Sequence, residues 1–425
     1  MASGDNSTLF NDSLPYTVPE EYKNGVYLDY NATTPLHPEV IDTMASAMRK
    51  LWRNPSSTYS ERVRDAISKA RAQTSDVIGA KPEEIIFTSS GTEANNWILE
   101  AIVSWASELR GLAEGKPCIV TSDIEHDAVS KKVLALQAKG LCDVKMVSGA
   151  QGGRVNVRDV VDNCSENTCL ISIMLANNET GVIQPVAEIG QELIRINIER
   201  TEKGLKPILF HTDAAQAVGK IACDVTKLNV DFLTIVGHKF YGPRIGAVYC
   251  RSEYMSILKK HPFLWGGGQE RGYRPSTENT VDIVGLGQAC EVVQRNLSDW
   301  ASHFYKTGSY LKDSLIETFG KNLDFNFPVL SEFLLPNTFS VHFVGKEREG
   351  FKVLNQAEYL QASTGAACHS GKTTVSIVLL HSGLSKEAAK NTIRLSIGRT
   401  TTKEEIDITI KDLYQAVQKL TGIFL

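Results

Sequence analysis

From Tyr27 onward, short apolar runs alternate with stretches whose apolar residues recur at helical spacing. The runs Glu84–Thr88, Cys118–Ser122, Val144–Val147, Cys169–Ala176, Ile208–Asp213, Phe232–Val236 and Gly246–Cys250 are largely continuous, the pattern of strands buried on both faces. Between the runs at Cys169 and Ile208, Val186, Ile189, Leu193 and Ile194 recur at helical spacing and Gly204 follows as a stop, giving a β-α-β crossover. Repetition of that unit predicts an α/β fold with a mostly parallel seven-stranded sheet covered by helices, whose ligands bind at the carboxyl ends of the strands. From about Glu291 the pattern shifts to longer helices, Asp299–Phe319 and Glu404–Leu420, with strand-like Asn337–Phe343 and Ile393–Ile397. This predicts a second, smaller α+β domain. Before Tyr27 the chain is polar and aperiodic, and residues 1–25 read as a flexible arm.

Composition narrows the function. The chain has 425 residues, 42% of them hydrophobic, enough for one large domain and a smaller one. Its 45 basic and 49 acidic side chains leave a net charge of -4 with no long run of one sign, so neither a nucleic-acid footprint nor a membrane span is expected. The first 25 residues hold four acidic residues, no Arg and no apolar core, which fits a cytosolic protein better than a secreted or imported one. Eight scattered cysteines without a Cys-x-x-Cys pair argue for reduced thiols and against a metal site.

The candidate chemistry sits at strand ends. Ile208–His211 runs into Thr212-Asp213-Ala214-Ala215-Gln216, and a later strand delivers Gly237-His238-Lys239. An amine that can form a Schiff base and a carboxylate that can keep a pyridine nitrogen protonated are the two groups pyridoxal 5'-phosphate (PLP) requires; a plain Asp–Lys salt bridge is the alternative. Ser89-Ser90-Gly91-Thr92-Glu93 links a strand to a helix near Ala94, as a phosphate loop or a simple helix cap. His126 follows the Cys118–Ser122 strand, placed to cover a cofactor ring or to sit as an ordinary histidine of core or surface. Cys368, in Gly365-Ala366-Ala367-Cys368-His369-Ser370-Gly371, is either a mobile acceptor thiol or an inert one. Arg394 lies inside an apolar strand, where it needs a carboxylate from a substrate or from an internal salt bridge.

Together with Asp29-Tyr30-Asn31-Ala32-Thr33-Thr34-Pro35, Asn54-Pro55-Ser56-Ser57, Glu125-His126, Asn177-Asn178-Glu179-Thr180-Gly181 and Gly266-Gly267-Gly268-Gln269-Glu270, these motifs resemble, in order, the cysteine desulfurase and selenocysteine lyase family. The wording around Asp213, Lys239 and Cys368 is most similar to the selenocysteine-specific branch.

The resemblance implies a fold type I, class V aminotransferase-like homodimer. It would have a large PLP-binding domain over 41–290 and a small domain over 26–40 and 291–425 carrying the Cys368 loop. It further implies that Lys239 links to the cofactor, Asp213 pairs with its pyridine nitrogen, His126 stacks on its ring and Gln216 meets its phenolic oxygen. Asn178 would lie beside cofactor and substrate, Gly91, Thr92 and His238 would hold the phosphate, and Thr277 would reach the phosphate of the neighbouring subunit. Arg394, Asn178 and Asn31 would bind the substrate. The implied reaction takes L-selenocysteine to L-alanine and selenide, with Cys368 drawing off selenium for an acceptor such as selenophosphate synthetase. A cysteine desulfurase and a non-catalytic chalcogen carrier are the competing readings.

Two departures matter. Val236 stands where bacterial desulfurases commonly carry Ser, so one phosphate hydroxyl is missing. Asp127 stands where they often carry Lys. A carboxylate there is expected to disfavour a thiolate, whereas selenocysteine is already anionic at neutral pH, which makes Asp127 a candidate specificity residue.

Overall fold

The computed structural model describes residues 25–110, 115–149, 152–364 and 375–422. The expected N-terminal arm lies outside them. All seven buried runs form strands of one sheet: β2 (Ile85–Thr88), β3 (Cys118–Ser122), β4 (Asp143–Val147), β5 (Thr168–Ser172), β6 (Leu209–Asp213), β7 (Phe232–Val236) and β8 (Gly246–Cys250), with β1 (Val26–Tyr27) outside it. Their order is β2-β8-β7-β6-β5-β3-β4. Strands β3 to β7 pair parallel, and β8 runs against both β7 and β2.

All but the edge strand β4 are buried along their whole length because both sheet faces are covered. Ile86, Leu209, Phe232 and Val248 pack with Trp97, Ile98, Val129 and Val133, which lie on α3 (Gly91–Arg110) and α4 (Asp127–Ala138). Their neighbours Phe87, Phe210, Leu233 and Ala247 face the opposite cluster, which takes in α5 (Val186–Glu202) through Val186, Ile189 and Leu193. On that side α1 (Pro38–Lys50) and α2 (Glu61–Asp76) pack against α6 (Thr280–Phe319).

Three expectations are corrected. Ile194 is 45% exposed and lies off the buried stripe of α5. Strand β5 stops at Ser172; 173–176 continue as buried chain, with Ile173 N and Leu175 N donating to His211 O and Asp213 O of β6 and Ala176 bridging to Ile183. The helix expected from Asp299 begins at Thr280, capped by the Asn279 side chain accepting from Asp282 N, and runs 40 residues. Its start is hard to read because Gly285 and Gly287 occupy buried positions where Met44 and Ala70 leave no room for a Cβ. The expected boundary at 290/291 therefore falls inside α6.

A second, antiparallel sheet has the order β12-β10-β9, from β9 (Leu323–Phe325), β10 (Thr338–Phe343) and β12 (Thr392–Ser396). The short β11 (Leu360–Gln361) pairs parallel with β1, and α7 (Lys403–Thr421) packs beside them. Asp29 bridges to Ser396 of β12, and Thr34 N donates to His238 O at 2.9 Å, so 29–35 spans from the second sheet to the main one. Among the described residues no helix is long and apolar enough to cross a membrane.

Candidate active site

A cavity of about 410 Å³ opens at the carboxyl ends of β3, β5, β6 and β7 and is lined by Gly91, Thr92, His126, Asn178, Asp213, Gln216, His238, Lys239, Arg394 and Asn31. Ten of the residues singled out from sequence are thus brought together. Asp213 ends β6; its Oδ1 accepts from Ala215 N (2.9 Å) and its Oδ2 from Asn95 Nδ2 (2.7 Å). Lys239 closes the turn after β7, where its Nζ donates to the carbonyls of Asn31 and Ala32, both at 2.8 Å. His238 beside it faces Thr33 Oγ1 at 3.1 Å, and burial, with the charges of Lys239 and Arg244, pushes its pKa down to about 4.

His126 is the N-cap of α4. Its Nδ1 accepts from Ala128 N at 3.1 Å, so in the neutral ring the proton sits on Nε2. Glu125 turns the other way, accepting from Ser122 Oγ (2.5 Å) and Met174 N (3.0 Å), and burial pushes its pKa up to about 8. The N-terminus of α3 points its free amides at the cavity. Gly91 is required there, since a Cβ would lie 2.4 Å from Val236 Cγ2. Val236 thus fills with a methyl the place where a hydroxyl was expected to be missing.

Arg394 meets both of its expected alternatives. It lines the cavity, and it is also ion-paired with Asp29 and donates to Asn178 O at 2.6 Å, with Nε buried and unpartnered. Asp127, one position past the cap, pairs with Lys131 at 2.6 Å and is not among the described residues that line the cavity. Thr277 lines a neighbouring pocket with Ser89, Arg274 and Arg244, the last shared with the main cavity. Cys368 lies outside the described residues.

Two site residues escaped sequence reading. Asn95 follows Gly91 by one helical turn, so both face the cavity, and its Oδ1 is buried there without a partner. Lys220 follows Gln216 by one turn's worth of residues within an apolar run. Their signal was a polar residue four positions from a motif residue; their function depends on contacts across the fold.

Residues 26–409 match the family model described as aminotransferase class-V. The chain belongs to the class-V aminotransferase family. Within that family it is 46% identical over 407 residues to a selenocysteine lyase of Xenopus tropicalis, covering 93% of this chain and 94% of the relative. It is 37% identical over 400 residues to "Cysteine desulfurase IscS" of Clostridium botulinum, covering 93% and 94%. A solved "NifS-like protein" superposes with a TM-score of 0.80 at 33% identity, covering 93% of this chain and all of that one.

Class-V aminotransferases of this kind are PLP-dependent, and the donor set fits the group. An amine and a carboxylate face one cavity, a helix N-terminus offers amides for a phosphate, and the orphaned Asn95 Oδ1 shows a polar wall awaiting a polar ligand.

Proposed function

We propose that this class-V aminotransferase decomposes L-selenocysteine to L-alanine and selenide. The carrying observation is the single cavity that holds Lys239, Asp213 and Arg394, in a chain more similar to a selenocysteine lyase than to a desulfurase over the same share of its length. In this reading Lys239 holds the aldehyde of PLP, Asp213 the pyridine nitrogen, and Gly91, Thr92 and His238 the phosphate. When bound, the cofactor supplies an electron sink for charge developing at the substrate α-carbon.

The protein's residues do the rest. Asp213 keeps its carboxylate aimed because Asn95 and the Ala215 amide hold both oxygens. His126 would present an Nε2 proton to the cofactor ring, with its orientation set by the helix cap. Arg394 would receive the substrate carboxylate beside Asn178 and Asn31, and the Lys239 amine would move a proton at the substrate α-carbon. The Cys368 thiolate would form an S–Se bond as the substrate Cβ–Se bond breaks, leaving that bond's electron pair on the alanine fragment, and a thiol reductant would then release the selenium as selenide, free or to a partner such as selenophosphate synthetase. We further propose a homodimer in which Thr277 completes the neighbour's phosphate site, a small domain of 26–40 and 291–425, and a cytosolic setting.

The test is alanine release from selenocysteine and from cysteine by the cofactor-loaded protein under reducing conditions, beside Cys368→Ala. Strong preference for selenocysteine supports the reading; equal or better turnover of cysteine moves the chain to the desulfurases.

A further inference from the structure

Behind the cavity wall lies a second lysine. Lys220 is 5% exposed, in the turn that follows β6, and its Nζ donates to Gln216 Oε1 and to Asn31 Oδ1 (3.0 Å). The turn returns it to the site because Gly219 takes φ +81° where a Cβ would lie 2.5 Å from Phe240 Cβ. Both acceptors are amides, which present an oxygen or an NH2 according to how they are turned. Gln216 is turned so that its Nε2 donates to the Asn31 carbonyl at 2.9 Å, and that same carbonyl accepts Lys239 Nζ at 2.8 Å. Asn31 is turned so that its Nδ2 donates to Thr338 Oγ1 at 2.9 Å.

We propose that Lys220 is a positioning residue: by donating to both side-chain amide oxygens it holds the Asn31 side chain and commits the Gln216 NH2 to the Asn31 main-chain carbonyl, on the side of the cavity where Lys239 ends. Burial, reinforced by the charges of Lys239 and Arg394, holds the Lys220 pKa well below the usual lysine value. An amine supplies the same two donors in either protonation state, so the device does not depend on that charge. Its effect on catalysis runs through Gln216, and it rests on the reading above that PLP binds to Lys239 with Gln216 at its phenolic oxygen.

The experiment follows the pH midpoint of the cofactor's visible band, with thermal stability and steady-state kinetics, in full-length Lys220→Met and Lys220→Gln. Losing an oriented donor at the phenolic oxygen should raise that midpoint by about one unit. It should also lower kcat about tenfold with KM nearly unchanged. Gln216→Leu should give the same rise, and adding Lys220→Met to it should shift the band no further. A wild-type midpoint in both Lys220 variants with only the melting temperature lowered overturns the proposal, as do shifts that add in the double variant. Lys239→Ala separates the two layers: loss of its band with unshifted Lys220 variants sinks this inference alone, whereas a band persisting in Lys239→Ala sinks the cofactor reading and this inference with it.

Discussion

Arg394 carries the sharpest test at the level of single residues. Its guanidinium is buried and ion-paired to Asp29, yet it lines the cavity with Nε uncommitted. If Asp29 merely orients it for a substrate carboxylate, Arg394→Lys keeps the charge and loses the planar fork. KM should then rise about tenfold while kcat changes less. An unchanged KM in a folded Arg394→Lys protein would assign Arg394 to the Asp29 pair alone. Asp213, Lys239 and His126 were legible because each sits in a local motif at a strand end, where chemistry and chain geometry coincide. Asn95 and Lys220 were not, because their partners Asp213 and Asn31 are remote in sequence. Asp127 shows the complementary effect: it neighbours His126 in sequence but not along the cavity wall, because successive side chains at a helix N-terminus diverge by about 100°.

Secondary elements meet the site through two side-chain clamps. The segment at 270–276 is held in left-handed backbone at Glu270, Arg271 and Ser276, a conformation that non-glycine residues adopt only when their surroundings enforce it. Here the enforcement is the open edge of β2. Glu270 accepts from Phe87 N and from Arg71, while Arg71 and Arg271 donate to Ile85 O, so side chains replace a missing neighbour strand. The same segment reaches the phosphate loop through Arg274 and Glu93. Arg71→Met would leave the Glu270 carboxylate buried without its counter-ion, at a cost of about 3–5 kcal/mol, read as a lowered melting temperature; Glu270→Gln added to it should recover part of the loss. The second clamp is Glu125, which ties β3 to the chain after β5. Its carboxyl titrates at about 8 in the folded protein against an ordinary 4.5, so the folded state keeps a proton that the unfolded chain has released. That contribution is complete below pH 4.5 and is lost as pH rises through about 8. Glu125→Gln should therefore flatten the fall in melting temperature across that window, and identical pH profiles for the two proteins would show that Glu125 titrates normally. Most strand runs were read to within a residue because burial on both faces writes them as apolar blocks, and the run at Cys169 was read four residues too long because the chain after β5 stays buried. The clamps were invisible because isolated Arg and Glu residues look like surface charges until the edge they cover is known.

The whole molecule leaves aromatic surface exposed that a lone subunit gains nothing by keeping. Trp265 is 86% exposed and Trp52 and Tyr59 are each 73% exposed. Trp52 and Tyr59 flank Asn54-Pro55-Ser56-Ser57, and Trp265 immediately precedes the glycine run that leads to the clamp and Thr277. Single apolar residues at a surface are ordinary, but aromatic rings this exposed beside site-building segments are what a subunit interface buries. In the proposed homodimer they would be covered, and Thr277, which lines a pocket sharing Arg244 with the main cavity, would face the neighbour's phosphate site. Dimerisation and cofactor retention are then one equilibrium, since a ligand held by both subunits stabilises their association. Trp265→Glu and Trp52→Glu should shift the protein toward monomer in sedimentation velocity. They should also weaken PLP binding about tenfold at concentrations where the wild type is dimeric. Thr277→Val should weaken the cofactor as much while shifting the apoprotein's dimer equilibrium little, because it removes the contact and leaves the interface. A wild-type protein that sediments as a monomer with one tightly held cofactor would separate the site from assembly and leave Thr277 as a residue of its own subunit's surface.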